Sequence, residues 1–239
     1  DVPIAPFINV TFNQAMVPLD TLEGLSSEDV PVQIEPELPG TWRWLGTKTL
    51  NFQYESDEID RLPMATDYTV TIPAGVESAT GSKLEQMVQF SFRTPAPTME
   101  TSYPNSDSQP LEPLFFIAFD QRIDPEAVLE TIQVMAKGQR FDLKLATQEQ
   151  VENHPTVSRM AENAAQARWL AFQVREPLPN NATVSVNLGP GTPSAEGPLV
   201  TQQVQSYSFQ TYAPLRIVDQ NCESRGDSCS PLSPLFIRF

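Results

Sequence analysis

Apolar residues recur at every second position over short stretches of this chain: Ile8, Val10 and Phe12; Tyr68, Val70 and Ile72; Phe115, Ile117 and Phe119; Val184, Val186 and Leu188. A two-residue period puts one set of side chains on one face of an extended segment, so each stretch predicts a half-buried β-strand. Polar residues fill the alternate positions, Thr69 and Thr71 in one strand and Thr183, Ser185 and Asn187 in another. Proline outnumbers glycine 23 to 10. Because proline is excluded from helix interiors and central strand positions, it collects in edges, turns and linkers. The pattern predicts an all-β chain of short strands joined by stiff turns.

Laid against itself, the chain repeats. Pro6-Phe7-Ile8-Asn9-Val10-Thr11-Phe12-Asn13-Gln14 returns as Pro113-Leu114-Phe115-Phe116-Ile117-Ala118-Phe119-Asp120-Gln121, a shift of 107 positions (113 minus 6). Leu50-Asn51-Phe52 matches Leu170-Ala171-Phe172, and Leu62-Pro63 matches Leu178-Pro179 ahead of the next strand. Ser78-Ala79-Thr80-Gly81 matches Ser194-Ala195-Glu196-Gly197 as a turn, and Phe90–Thr94 matches Tyr207–Thr211. Chance does not preserve order and spacing together. About seven short strands in roughly 100 residues is the signature of an immunoglobulin-like sandwich. The expected fold is therefore two tandem immunoglobulin-like antiparallel β-sandwiches plus the first strand of a third. The first sandwich covers 1–96 and the second 97–213, with a polar insertion at 147–168. Residues 214–239 form a linker, a cysteine loop and the start of a truncated third domain, because Pro234–Phe239 echoes Pro113–Phe119. Without its partners that last strand should be loosely held.

The insertion is rich in Ala, Glu, Gln and Asn and lacks strand alternation. Pro155 is expected to end any helix there, leaving Ser158 to Ala167 as a short helix with Ser158 near its N-cap. The segment reads as a solvated loop, with a protease-sensitive loop or a docking element as alternatives. Asp124-Pro125-Glu126 suits a helical turn, with Asp capping and Pro in the first helical position.

Composition narrows function by exclusion. Fifteen basic against 30 acidic side chains give a net charge of −15, which repels nucleic acid and anionic membranes. The longest apolar run, Leu114 to Phe119, is far short of the ~18 residues of a membrane-spanning helix. The chain opens at Asp1 without methionine and reads as a segment of something longer, with any anchor outside it.

No phosphate-binding glycine loop, nucleophile elbow or His-Glu-x-x-His helix is present. His154 is the single histidine, so no catalytic residue, cofactor site or metal site is assigned. Carboxylate pairs need no local motif and stay open. Glu55, Asp57, Glu58 and Asp60 cluster but lack the spacing and glycine of an EF-hand loop. Arg225-Gly226-Asp227 spells an adhesion tripeptide, too short to be specific. Trp42 and Trp44 project to one side of a strand; they form either core packing or an exposed interaction surface for sugars or a neighbouring domain.

Cys222 and Cys229 are the only cysteines. Zinc would require two more ligands, whereas an even count in a polar, turn-rich loop fits a disulfide. Such a bond implies an oxidising compartment, a periplasm or cell exterior.

Phe12-Asn13-Gln14 with Met16 and Pro18-Leu19 resembles the opening of the Ig-like domains that begin bacterial alpha-2-macroglobulins. Similar too are Gly40–Trp44 with Thr49–Phe52, Thr66–Gly75, Phe119-Asp120-Gln121 and Phe209–Leu215. The resemblance covers nearly the whole chain. It implies a piece of a large periplasmic or surface-exposed protease trap, often lipid-anchored, that is cleaved in a bait segment and entraps the peptidase, often through a thioester. The thioester motif Cys-x-Glu-Gln is absent here: Cys222-Glu223-Ser224 does not match. The resemblance thus implies scaffold, whose partners are neighbouring domains of the same chain and, through the full-length protein, proteases. The alternative is a stalk of a surface adhesin or carbohydrate-binding protein.

Overall fold

The computed structural model describes residues 5–18, 30–105, 108–222, 224–225, 228–229 and 234–238. Its strands assemble into facing antiparallel sheets with apolar interiors, an all-β, immunoglobulin-like sandwich architecture. In the N-terminal part, β1 (Phe7–Thr11), β4 (Thr49–Tyr54) and β3 (Gly40–Leu45) form one sheet in the order β1-β4-β3. The other contains β2 (Gln33–Glu35), β5 (Asp67–Ile72) and β6 (Val88–Arg93) in the order β2-β5-β6. The register sets Ile8 opposite Phe52 and Val10 opposite Leu50. Those four side chains, with Trp44, Leu62 and Val70, make one core.

The C-terminal part repeats that plan with additions. One sheet runs β12 (Leu143–Leu145), β13 (Trp169–Val174), β9 (Phe115–Phe119), β7 (Met99–Tyr103). The facing sheet runs β11 (Gln139–Phe141), β10 (Ile132–Ala136), β14 (Thr183–Leu188), β15 (Gln205–Thr211), β8 (Ser108–Gln109). Phe115 stacks on Phe172 with ring centroids 4.7 Å apart, inside a core that includes Ile117, Val184, Val186 and Phe209. A short helix, α1 (Pro125–Leu129), starts where the sequence places a helical turn: the Asp124 side chain accepts from the Glu126 and Ala127 amides, with Pro125 opening the helix.

A threonine clamp recurs at one corner of each sandwich. Thr94 Oγ1 accepts from the Thr66 amide at 3.0 Å and donates to the Pro63 carbonyl at 3.0 Å. Thr211 does the same with the Ala182 amide (2.9 Å) and the Pro179 carbonyl (2.6 Å). Each clamp holds a Leu-Pro corner whose leucine, Leu62 or Leu178, is buried in the core. The turn residue within each corner, Ala65 or Asn181, has a positive φ of 55° or 48°.

The insertion departs from expectation. Pro155 does not end a helix; it begins one. α2 (Gln148–Glu152) is opened by a Thr147–Gln150 capping box, and α3 (Pro155–Asn163) follows with His154 as its N-cap. Proline's missing N–H costs nothing in a first helical turn, where that donor has no partner. Nor is the segment simply solvated. Val151 and Val157 are buried against Leu114, Phe116, Ala118 and Ala171, covering the outer face of the β9–β13 sheet. That explains the unbroken apolar run at Leu114–Phe119: a strand buried on both faces has no polar alternate positions. β1, with no such cover among the described residues, keeps Asn9 and Thr11 exposed at the equivalent positions.

Beyond Thr211 the chain forms a ribbon of β16 (Asp219–Cys222) paired antiparallel with β19 (Leu235–Arg238), and between them a hairpin of β17 (Ser224–Arg225) and β18 (Ser228–Cys229). Leu235 and Phe236 are exposed on it.

Phe172→Ala is expected to cost about 3–5 kcal/mol in urea denaturation, because both transfer free energy and packing are lost. Phe7→Ala, on the uncovered outer face, should change stability by less than about 0.5 kcal/mol.

Candidate functional site

A buried, multiply hydrogen-bonded polar cluster lies where the two sandwiches meet. The Leu62–Thr66 corner of the first faces the Ser194–Leu199 turn of the second. Glu196, with its side chain 2% exposed, is centred between them, and Arg61 reaches it from the first sandwich with 14% exposure. Glu196 Oε2 accepts from Arg61 Nη1 at 2.6 Å and from the Met64 amide at 2.9 Å. Oε1 accepts from Arg61 Nη2 at 3.0 Å and from the Arg122 amide at 2.8 Å. Four donors thus meet two oxygens, two from a planar guanidinium whose fork matches the carboxylate.

Backbone contacts bring the two elements close enough for this. The Leu199 amide donates to the Ala65 carbonyl at 2.8 Å and the Ala195 amide to the Arg122 carbonyl at 3.0 Å. A Cβ added at Gly197 would meet Thr66 Oγ1 and, at 2.5 Å, the carbonyl oxygens of Met64 and Ala65. Only glycine permits that approach. Gln121 Nε2 donates to the Pro95 carbonyl at 3.2 Å, and Asp120 Oδ1 accepts from the Thr98 amide at 2.9 Å. The proline-rich connection is thereby stitched to the end of β9. Arg122 also pairs with Glu58 across the boundary. One polar atom of the joint, Gln121 Oε1, is buried with no hydrogen-bond partner among the described residues.

Burial on its own raises the Glu196 carboxyl pKa. The Arg61 hydrogen bonds and the Arg122 and Met64 amides outweigh it, leaving the group below its ordinary value of 4.5. The carboxylate therefore stays charged and fully bonded. With its side chain only 2% exposed, it bonds groups of the first sandwich to groups of the second.

The residues singled out from the sequence fall elsewhere. Trp44 is 5% exposed, in the core, with its ring 6.0 Å from Phe12. Trp42 is half-buried and packs on Phe52 at 5.0 Å. An exposed tryptophan pair for sugar stacking is thus not what β3 presents, because its inward face closes the first core. His154 Nδ1 accepts from the Val157 amide at 3.3 Å and its ring meets Tyr103 at 5.5 Å, beside a cleft of about 570 Å³ that Glu112 and Glu149 also line. Its imidazole serves as a helix cap. Among the described residues no three His, Cys, Asp or Glu side chains gather as a metal site. Glu55 accepts from Thr41 and Glu58 is held by Arg122. Cys222 ends β16 and Cys229 lies in β18 opposite Ser224, but the Cys229 side chain lies outside the described residues, as do Gly226 and Asp227 of the adhesion tripeptide.

Pattern reading places Glu196 and Gly197 in a turn and assigns them nothing further. The available signal is a difference between the repeats: Thr80 in the first turn stands where the second has a carboxylate. Arg61, beside the Leu62-Pro63 corner, has Pro177 at the corresponding position before Leu178.

Residues 1–94 match the bacterial Ig-like domain family. Over 158 residues the chain is 28% identical to circularly permutated Ras protein 2 of Dictyostelium discoideum, covering 63% of this chain and 4% of that protein. Over 235 residues it is 23% identical to an alpha-2-macroglobulin homolog of a Nostoc species, covering 92% of this chain and 12% of that protein. The chain thus spans a small fraction of the length of either relative.

Glu196→Ala strands the Arg61 guanidinium in a buried position and should destabilise the protein by about 3–5 kcal/mol in urea denaturation. The pH dependence has a fixed sign. A carboxyl whose folded pKa is depressed contributes stability that is complete above its unfolded value, near 4.5, and is lost as pH falls through the lower folded value. Denaturation midpoints of the wild type should therefore fall more steeply below pH 4.5 than those of Glu196→Gln.

Proposed function

We propose that this chain is a non-catalytic structural segment of a large bacterial alpha-2-macroglobulin-like endopeptidase inhibitor. Its work is to hold two sandwiches at a fixed mutual angle and so to space the domains that act on proteases. The observation that carries the proposal is the likeness to the alpha-2-macroglobulin homolog across 92% of this chain and only 12% of that protein, together with the buried Arg61–Glu196 joint. A segment whose buried polar cluster bonds its own two sandwiches together is built to transmit geometry. The second relative, with an unrelated name, supports a module that recurs in different hosts without carrying one activity.

The chain lacks Cys-x-Glu-Gln, so any covalent capture of a peptidase belongs to other domains. Cys222 and Cys229 close a bond in this proposal, which puts the protein in the periplasm or at the cell surface, with the membrane reached only through an anchor in other parts of the polypeptide. The acidic surface is in keeping with partners that are proteins and not nucleic acids.

The purified segment is expected to leave trypsin, elastase, subtilisin and thermolysin uninhibited at molar excess; tight inhibition by the segment alone overturns the scaffold reading. Alkylation followed by mass spectrometry should add no label to the native chain and two labels after reduction. Two reactive thiols before reduction would remove the argument for an oxidising compartment.

A further inference from the structure

The two sandwiches share a strand plan, and among the described residues one of them has fewer strands on one side. β9, β13 and β12 correspond to β1, β4 and β3, while β10, β14 and β15 correspond to β2, β5 and β6. In the second sandwich two further strands close the side between β9 and β15. β7 runs antiparallel along the outer edge of β9, and β8 runs parallel along the outer edge of β15. Among the described residues, β1 and β6 carry no such neighbours; each is outermost in its sheet.

The difference uncovers residues of the inner face. β6 pairs with β5 so that Phe90 stands opposite Val70 and Val88 opposite Ile72. Directly paired residues share a face, and Val70 and Ile72 belong to the core. Phe90 is nevertheless 42% exposed and Val88 45%. At the corresponding positions opposite Val186 and Leu188, the second sandwich has Tyr207 and Gln205. Both grip the strand that covers them. The Tyr207 hydroxyl donates to the Tyr103 carbonyl at 3.4 Å. The Gln205 carboxamide accepts from the Met99 amide at 2.7 Å and donates to the Pro97 carbonyl at 3.0 Å. Met99 itself packs against the core.

Scattered exposed apolar residues are ordinary. Two on the inner face of a sandwich, beside an unpaired strand edge, form a template for strand addition. We infer that the open side between β1 and β6 is an acceptor for one extended polypeptide strand, antiparallel to β1 and presented from the N-terminal side of β1. The second sandwich fixes that direction: β7 comes from the segment just ahead of β9, with Met99 standing 14 positions before Pro113 (113 minus 99). The chemistry of the occupant also follows. Phe90 and Val88 offer no hydrogen bonds where Tyr207 and Gln205 do, so the strand they accept turns apolar side chains inward and is held by β1 through backbone hydrogen bonds. This holds whether the chain serves as inhibitor scaffold or as a stalk.

The test is a graft. A copy of residues 98–112 placed directly before Pro6, in place of residues 1–5, reproduces the spacing of the second sandwich. Hydrogen–deuterium exchange of the full chain should then show a protected graft and β6 amides slowed by about tenfold or more. A second graft carrying Met99→Glu in the copied segment should lose both effects, since a charge cannot enter the apolar side. An unprotected graft with unchanged β6 exchange overturns the inference, as does equal protection by the two grafts. A free peptide of the same sequence that protects β6 when the graft does not overturns delivery from the N-terminal side.

Discussion

A carboxylate withdrawn from water must find donors or lose its charge. Glu196 finds four, two from Arg61 across the boundary and two from backbone amides, one on each sandwich. Satisfying it therefore requires both sandwiches in one arrangement. An ion pair of this kind adds little net stability compared with apolar packing, but it is costly to break and directional. That combination determines orientation. The rest of the joint serves the same end: Gly197 allows the close approach, Ala65 accepts the Leu199 amide, and Gln121 ties down the connection at Pro95.

The joint depends in turn on features that recur in each sandwich. The threonine clamp at Thr94 holds the Pro63–Thr66 corner in shape, and that corner presents the Met64 amide and the Ala65 carbonyl to the second sandwich. The equivalent clamp at Thr211 holds a corner with Asn181 in place of Ala65. Asn is the residue better suited to positive φ, and its place is taken in the first repeat by Ala65, which is fully buried. The same corner is thus an exposed turn in one repeat and half of an interface in the other.

The alternating strands, the repeat and the capped turn at Asp124 are legible in the chain, because each depends on alternation, on self-similarity or on a capping residue beside the helix it starts. The helices of the insertion are hard to read from sequence because a proline can stop a helix or open its first turn, and because their apolar anchors, Val151 and Val157, are too few to make a periodic stripe. The tryptophans at 42 and 44 shared a face as expected, but periodicity does not say which face is inward. The joint itself was not legible. Arg61 and Glu196 are 135 residues apart, and no local pattern marks two charges that meet only after both sandwiches have formed. The contrasts between Thr80 and Glu196 and between Arg61 and Pro177 at matched positions carry a trace of it.

The central claim is that the two sandwiches move as one body because Glu196 is shared between them. Residual dipolar couplings of backbone amides in a weakly aligned sample measure this directly, with one alignment tensor fitted to each sandwich. A single tensor common to both, with separate tensors emerging in Glu196→Ala, is the result the account predicts. Two different tensors in the wild type would contradict it.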